Sequence, residues 1–155
     1  MKIEFIGMNA QRDFKWLKLA LPVPWTDDVT GIIALDTKVN RPVAAALFNM
    51  WTDNSVCAHW WIDKPLVMRH GFFEECCKYV FDTCGRKTII GIIPDVPDGT
   101  SLKLALHMGF KEVARINDGV SDGVDQLILT ASIADAEASR WYEVDYGLFK
   151  QSVSA

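Results

Sequence analysis

Arg69, His70 and Gly71 stand together in the run KPLVMRHGFFEECC (Lys64–Cys77), and these residue types in this order suit the holding of an anion. A guanidinium offers a planar fork of donors to a phosphate, an imidazole adds another, and a glycine lets backbone amides approach closely. A helix beginning directly after them would add unbonded amides and a partial positive charge from its first turn. The same letters, with Pro65 leading in, also make an ordinary helix start, and the run alone leaves both readings open.

A second set has the types needed to move a proton. His59 and Asp63 lie four apart in SVCAHWWID (Ser55–Asp63), and each is a candidate general base. A neutral imidazole suits that task near pH 7. A strand histidine bonded to a neighbour would look the same, and Asp63 also reads as a residue that merely ends a strand. Asp98 heads a short helical pattern, where a helix cap is the plain reading, and Ser101 follows at a solvent-facing position. His70 and His107 have no partners at metal-ligand spacing, so no metal is expected. Cys57, Cys76, Cys77 and Cys84 contain no CxxC pair and read as reduced, buried thiols.

The elements that must position these residues follow from periodicity. KIEFIGM (Lys2–Met8) alternates as a strand does, and Asn9 can cap a helix through AQRDFKWLKLAL, with Phe14, Leu17 and Leu21 on one face. Pro22 and Pro24 end it. VTGIIALDT, PVAAALFNMWT and SVCAHWWID then read as three strands, and the short KVNR and DN turns between them imply an antiparallel meander. In the last of these, alternation sets His59 and Trp61 on one face and Trp60 and Ile62 on the other.

Helical spacing of Phe73, Cys77, Val80 and Cys84 predicts a helix over 69–84, ended by Gly85. KTIIGIIP is almost wholly apolar, as a strand buried on both faces is, and a helical crossover makes it parallel to the strand before the helix. A short helix follows with Leu102, Leu106 and Ala105 inward, then strands KEVARI and VDQLILTAS, then a helix in ADAEASRWYEV docking through Trp141. The fold class expected is α/β: a mixed central sheet with an antiparallel front half, a parallel step between the fourth and fifth strands, and helices on both faces. Ligands favour strand ends where a sheet changes character in this way.

With 155 residues, half of them apolar, the chain fits a single domain over 1–155, of which about 2–132 is core and 133–155 a helical tail. A net charge of −4 gives no support to a nucleic-acid partner. No apolar run approaches the roughly 20 residues that cross a bilayer, and MKIEFIGMNA carries Glu4 and Asn9 where a signal peptide stays apolar. Neither membrane association nor export is expected, and the protein should be cytoplasmic.

Three stretches in this order resemble the GNAT N-acyltransferase superfamily, and within it the acetyltransferase-like proteins that bacteriophages encode. SVCAHWWID with PLVMRHGFFEECCKYVF resembles the strand, loop and helix that hold the pyrophosphate of acetyl-CoA; KTIIGIIP resembles the fifth strand, which parts from the fourth to admit the pantetheine arm; DGTSLKLALHMGFKEVARI resembles the short helix with its Gly-Phe ending, here Gly109 and Phe110, and the strand after it. The resemblance implies acetyl-CoA as co-substrate, held by the loop residues Met68, Arg69, His70, Gly71, Phe72 and Phe73. It also implies backbone groups of Trp61, Ile62 and Asp63 pairing with pantetheine, and places Asp98 and Ser101 beside the cofactor arm.

Two departures accompany it. The family's phosphate motif is Gln or Arg, two residues, Gly, one residue, then Gly or Ala; with Gly71 as the first glycine, Met68 and Phe73 fall at the other anchors. The tyrosine that serves many members as general acid stands four residues before the Gly-Phe glycine, where this chain has Ala105. The resemblance therefore implies an acetyl-CoA-dependent N-acetyltransferase acting directly on an unidentified amine, whose pocket Trp25 and Trp51 either line or merely adjoin as loop anchors. The departures suit instead a non-catalytic interaction protein with a degenerate site, such as a phage accessory factor that binds a host protein. A homodimer through the last strand or the C-terminal helix is compatible with both.

Overall fold

Asn9 starts the first helix as its sequence position predicts: its side-chain oxygen accepts from the Arg12 amide at 3.1 Å, and its own amide donates to Asp13 at 2.8 Å. The computed structural model describes residues 1–139, and within them β1 (Ile3–Gly7) leads into this helix, α1 (Ala10–Ala20). Leu17 is fully buried under α1, whereas Phe14, expected on the same face, is 36% exposed and packs edge-on against Trp25 in the loop that follows.

The meander forms as expected from β2 (Thr30–Asp36), β3 (Arg41–Asn49) and β4 (Ser55–Ile62), all antiparallel. Val43 to Asn49 are buried without interruption, because β3 is central and covered on both faces, so its sequence reads as an apolar run rather than an alternation. The parallel step is also present: β5 (Thr88–Pro94) pairs in parallel with β4. With β6 (Lys111–Ser121) and β7 (Val124–Ser132), the strands form one seven-stranded mixed sheet in the order β1-β2-β3-β4-β5-β7-β6. This is the α/β arrangement expected.

The crossover differs from the single helix predicted over 69–84. Pro65–His70 is a 3-10 turn, α2 covers Phe72–Cys77, and Lys78–Thr83 winds as a π turn. Gly71 divides them with φ +84°, a left-handed conformation that an apolar periodicity does not register. Downstream, α3 (Thr100–His107) has Gly99 at its cap position, and Asp98 accepts from the Thr100 amide at 3.0 Å from one residue further out. The helix turns Ala105 and Met108 inward and leaves Leu106, expected inward, 52% exposed.

A short α4 (Ile133–Glu137) closes the described chain. Ser132 and Asp135 cap it reciprocally, each side chain accepting from the other's amide. The rest of the expected terminal helix, with Trp141, lies outside the described residues.

Two apolar clusters lie on opposite faces of the sheet. Leu17 of α1 packs on Ile33, Ala45, Leu47 and Trp61. Phe72, Phe73 and Cys76 of α2, with Ala105 and Met108 near α3, share the other cluster with Val56, Ile89 and Leu129. Because α1 packs on strands β2 to β4, β5 is not covered on both faces as its composition suggests: Ile89 and Gly91 are buried and Ile92 is exposed.

Candidate functional site

The parallel ladder between β4 and β5 is short. It joins Ser55, Val56 and Cys57 to Thr88, Ile89 and Ile90, while β4 runs on to Ile62 and β5 to Pro94. Beyond Cys57 the strands part, and a cavity of about 220 Å³ occupies the gap. Its walls come from β4 (Ala58, His59, Trp60), β5 (Gly91 to Ile93), α3 (Ser101, Leu104, Ala105) and the loop after α1 (Leu21, Val23). The slot therefore reaches between the two faces of the sheet.

Backbone geometry along the slot corrects one sequence expectation. The Asp63 amide donates to the Val43 carbonyl of β3 at 2.9 Å and is committed there. Antiparallel pairing alternates the direction of backbone groups, so Trp61 also points towards β3, while Trp60 and Ile62 point their N–H and C=O into the gap. Of Trp61, Ile62 and Asp63, only Ile62 presents its backbone to the slot, and Trp60 takes the second place.

His59 lines the cavity, and its Nε2 lies 2.9 Å from Oδ1 of the buried Asn49 on β3. With Nε2–H donating to that oxygen, the lone pair of the neutral ring is on Nδ1. Burial lowers the imidazole's pKa from its ordinary value of 6.5. Asp63, the other candidate base, is exposed, pairs with Arg41 at 3.0 Å and is absent from the lining. The structure thus separates two residues that sequence spacing brought together. Asn49 was not singled out in the sequence, since its register opposite Cys57 and beside His59 arises only from strand pairing.

The loop expected to hold an anion is divided in the same way between core and surface. Met68, Phe72 and Phe73 are fully buried, and Phe73 lies 5.9 Å from the Trp60 ring. The two residues that depart from the phosphate motif therefore point into the core and leave the backbone uncovered. Arg69 and His70 are exposed beside Gly71, and a Cβ on Gly71 would meet no atom within 4 Å, so the space over this backbone is open. Arg69 and His70 precede Gly71, and the first turn of α2 begins directly after it. Glu74 and Glu75 add negative charge to that first turn, and Lys78 pairs with Glu74 at 3.2 Å.

Ser101 lines the slot, whereas Asp98 is exposed, caps α3 and does not. Trp25 packs on Phe14, and Trp51 packs on Phe48 and Tyr79 beneath Arg86; neither lines this cavity. All four cysteines are free, and burial raises the thiol pKa of Cys57, Cys76 and Cys77. Among the described residues there is no cluster of His, Cys, Asp and Glu able to hold a metal, and no helix long and apolar enough to cross a membrane.

A seven-stranded mixed sheet that opens between its fourth and fifth strands is the fold of the GNAT N-acetyltransferases, and the chain has that fold. Solved structures match it over most of their length. Spermidine/spermine N-acetyltransferase SpeG from Vibrio cholerae superposes with a TM-score of 0.70 at 8% identity, covering 88% of this chain and 94% of that one. A protein assigned to the GNAT acetyltransferases from Desulfovibrio desulfuricans gives 0.65 at 11% identity, over 84% and 99%. One assigned as a phosphinothricin N-acetyltransferase gives 0.62 at 16% identity, over 84% and 98%. No protein-family model matches the sequence, and no curated protein matches it. At these identities the likeness is one of fold.

Proposed function

We propose that this protein is an N-acetyltransferase that takes acetyl-CoA and transfers its acetyl group directly to an amine. The observation that carries this is the slot itself: a gap between β4 and β5, edged by outward-facing backbone of Trp60 and Ile62, with a neutral histidine in its wall and an uncovered loop at Arg69–Gly71. An extended amide chain can add to such a strand edge as a further strand would. The sequence resemblance extends the reading to the acetyltransferase-like proteins of bacteriophages, and a cytoplasmic setting goes with it.

In the reaction, the amine nitrogen attacks the thioester carbonyl, a C–N bond forms, the C–S bond breaks and coenzyme A leaves as a thiolate. Nδ1 of His59 takes the proton the amine must lose, and Asn49 holds the ring in the tautomer that can do so. Amides at the slot edge are the available donors to the developing oxyanion. No tyrosine stands at Ala105 to protonate the thiolate, whose low basicity lets it depart and take a proton from water.

A non-catalytic interaction module is the second reading, favoured by Ala105 and by Glu74 and Glu75 beside the loop. Its expected sign is a closed gap between β4 and β5; the open slot supports the catalytic reading instead. Titration calorimetry with coenzyme A and acetyl-CoA, followed by thiol release across a panel of amines, tests both. At a hundredfold excess over Kd, binding should raise stability by about 2.7 kcal/mol. Absence of any thermal shift at millimolar acetyl-CoA removes the acetyltransferase reading.

A further inference from the structure

A second cavity, of about 440 Å³, lies between the β1 side of the sheet and the crossover, and it shares no residue with the slot. Phe48 stands between the two: its ring centroid is 5.4 Å from that of Tyr79, which lines the cavity, and 6.3 Å from that of Trp60, which lines the slot. The size falls within the roughly 300–1,000 Å³ of small-molecule sites. Phe5 of β1 and Ile32 of β2, both part of the apolar cluster beneath α2, give it an apolar floor. Glu75 and Tyr79, four residues apart and so neighbours along one helical face, form its polar wall. Both are acceptors. Tyr79 donates its phenolic hydrogen to Oγ1 of Thr30 at 2.8 Å, so towards a ligand its oxygen can only accept. The half-buried Glu75 carboxylate has no hydrogen bond or ion pair among the described residues, and the nearby Lys78 ammonium is paired with Glu74 at 3.2 Å.

We propose that this cavity binds a small organic cation, one ammonium carried on an apolar body, at a site separate from the slot. The ammonium takes the Glu75 carboxylate as counter-ion and the Tyr79 oxygen as a second acceptor, while the body lies on Phe5 and Ile32. An anion would meet the Glu75 charge with the lining's one ammonium, that of Lys78, already paired. A neutral apolar molecule would strip water from the carboxylate and give it no partner in return. Gly7 leaves one side of the space open: alternation sets it on the same face as Phe5, and a Cβ there would meet no atom within 4 Å. Its backbone is not left-handed, so a larger side chain at position 7 fills space without straining β1. The site stands independently of acetyl transfer, since it uses neither His59 nor the loop at Arg69–Gly71.

The test is titration calorimetry of the whole chain near pH 7 with 2-phenylethylamine and with its uncharged counterpart 2-phenylethanol, on the wild type, Glu75→Gln and Gly7→Leu. The wild type should bind the amine, and bind the alcohol about tenfold more weakly, the factor that one charge-assisted bond carries. Glu75→Gln should weaken the amine by about the same factor and leave the alcohol unchanged. Gly7→Leu should weaken both, and Glu75→Gln, which keeps the side chain's volume, decides the matter if the leucine disturbs β1. Failure of the amine to bind at millimolar concentration overturns the proposal and leaves the acetyltransferase reading untouched. Equal affinity for amine and alcohol overturns it, because the cavity then recognises no charge. Amine binding that neither variant weakens overturns it as well, because the amine then lies elsewhere, as an acceptor beside the slot would.

Discussion

Asn49 and His59 face each other across the β3–β4 ladder, the buried amide oxygen 2.9 Å from the imidazole Nε2. The bond satisfies one nitrogen of a half-buried ring, while burial lowers its pKa from 6.5. In the window between that lowered value and 6.5, the unfolded chain binds more protons than the folded one. Stability therefore falls as pH is lowered through the window. Urea midpoints measured from pH 7.5 down to 5 should drop more steeply for the wild type than for His59→Gln. Parallel curves for the two would contradict the assignment of that slope to His59.

Arg69 is exposed beside the open backbone of Gly71. Reversing its charge with Arg69→Glu should weaken acetyl-CoA binding at least about tenfold while moving stability by no more than about 0.5 kcal/mol. Calorimetry and denaturant unfolding read the two effects separately, and an unchanged Kd would place the phosphates elsewhere.

Phe73 behaves in the opposite way. It is fully buried against Trp60, so Phe73→Ala should cost about 3–5 kcal/mol of stability, measured by urea unfolding. A near-neutral result would mean that the ring is not held in the core.

Gly109 has φ +90°, and a Cβ there would collide with the backbone of Asp135. Gly109→Ala should destabilise the chain by more than about 2 kcal/mol, since both the backbone conformation and the packing of α4 oppose it. Thermal unfolding provides the check, with Gly123→Ala, at a left-handed turn without crowding, as the milder comparison.

Asp135 is held down to a pKa of about 2 by Lys111, at 2.7 Å, and by the Ser132 amide. The stability this gives is present above the ordinary value of 3.8 and is lost as pH falls through about 2. Asp135→Ala should lower stability at pH 7 by about 1 kcal/mol through loss of the cap, and its acid unfolding should be less steep between pH 4 and 2.

The architecture was legible because the meander's turns are short and the apolar periods distinct. The parallel step could be read because KTIIGIIP follows a helix-sized crossover. The break at Gly71 was not, since a left-handed residue leaves the spacing of Phe73, Cys77 and Val80 intact. Ala105 turns inward as expected, but the exposure of Leu106 was missed because an eight-residue helix carries too few turns to fix its rotation. His59, which lines the slot, was singled out from its type and strand position. Its partner Asn49 and the slot residues Trp60 and Gly91 depend on register between strands, which a single sequence does not state. Asp63 looked equivalent to His59 along the chain, but Arg41 and Val43 hold it outside the gap.

Among the described residues, three residue pairs, Ser55–Cys57 with Thr88–Ile90, make the ladder between β4 and β5. Beyond Cys57 the two strands are unpaired with each other, and on the function proposed above an extended ligand lying along β4 would take the place of missing strand. Its backbone-like amides would extend the pairing between two strands that the ladder joins at one end. On that reading substrate entry would also be sheet completion, and amide exchange in β4 and β5 would gauge occupancy directly.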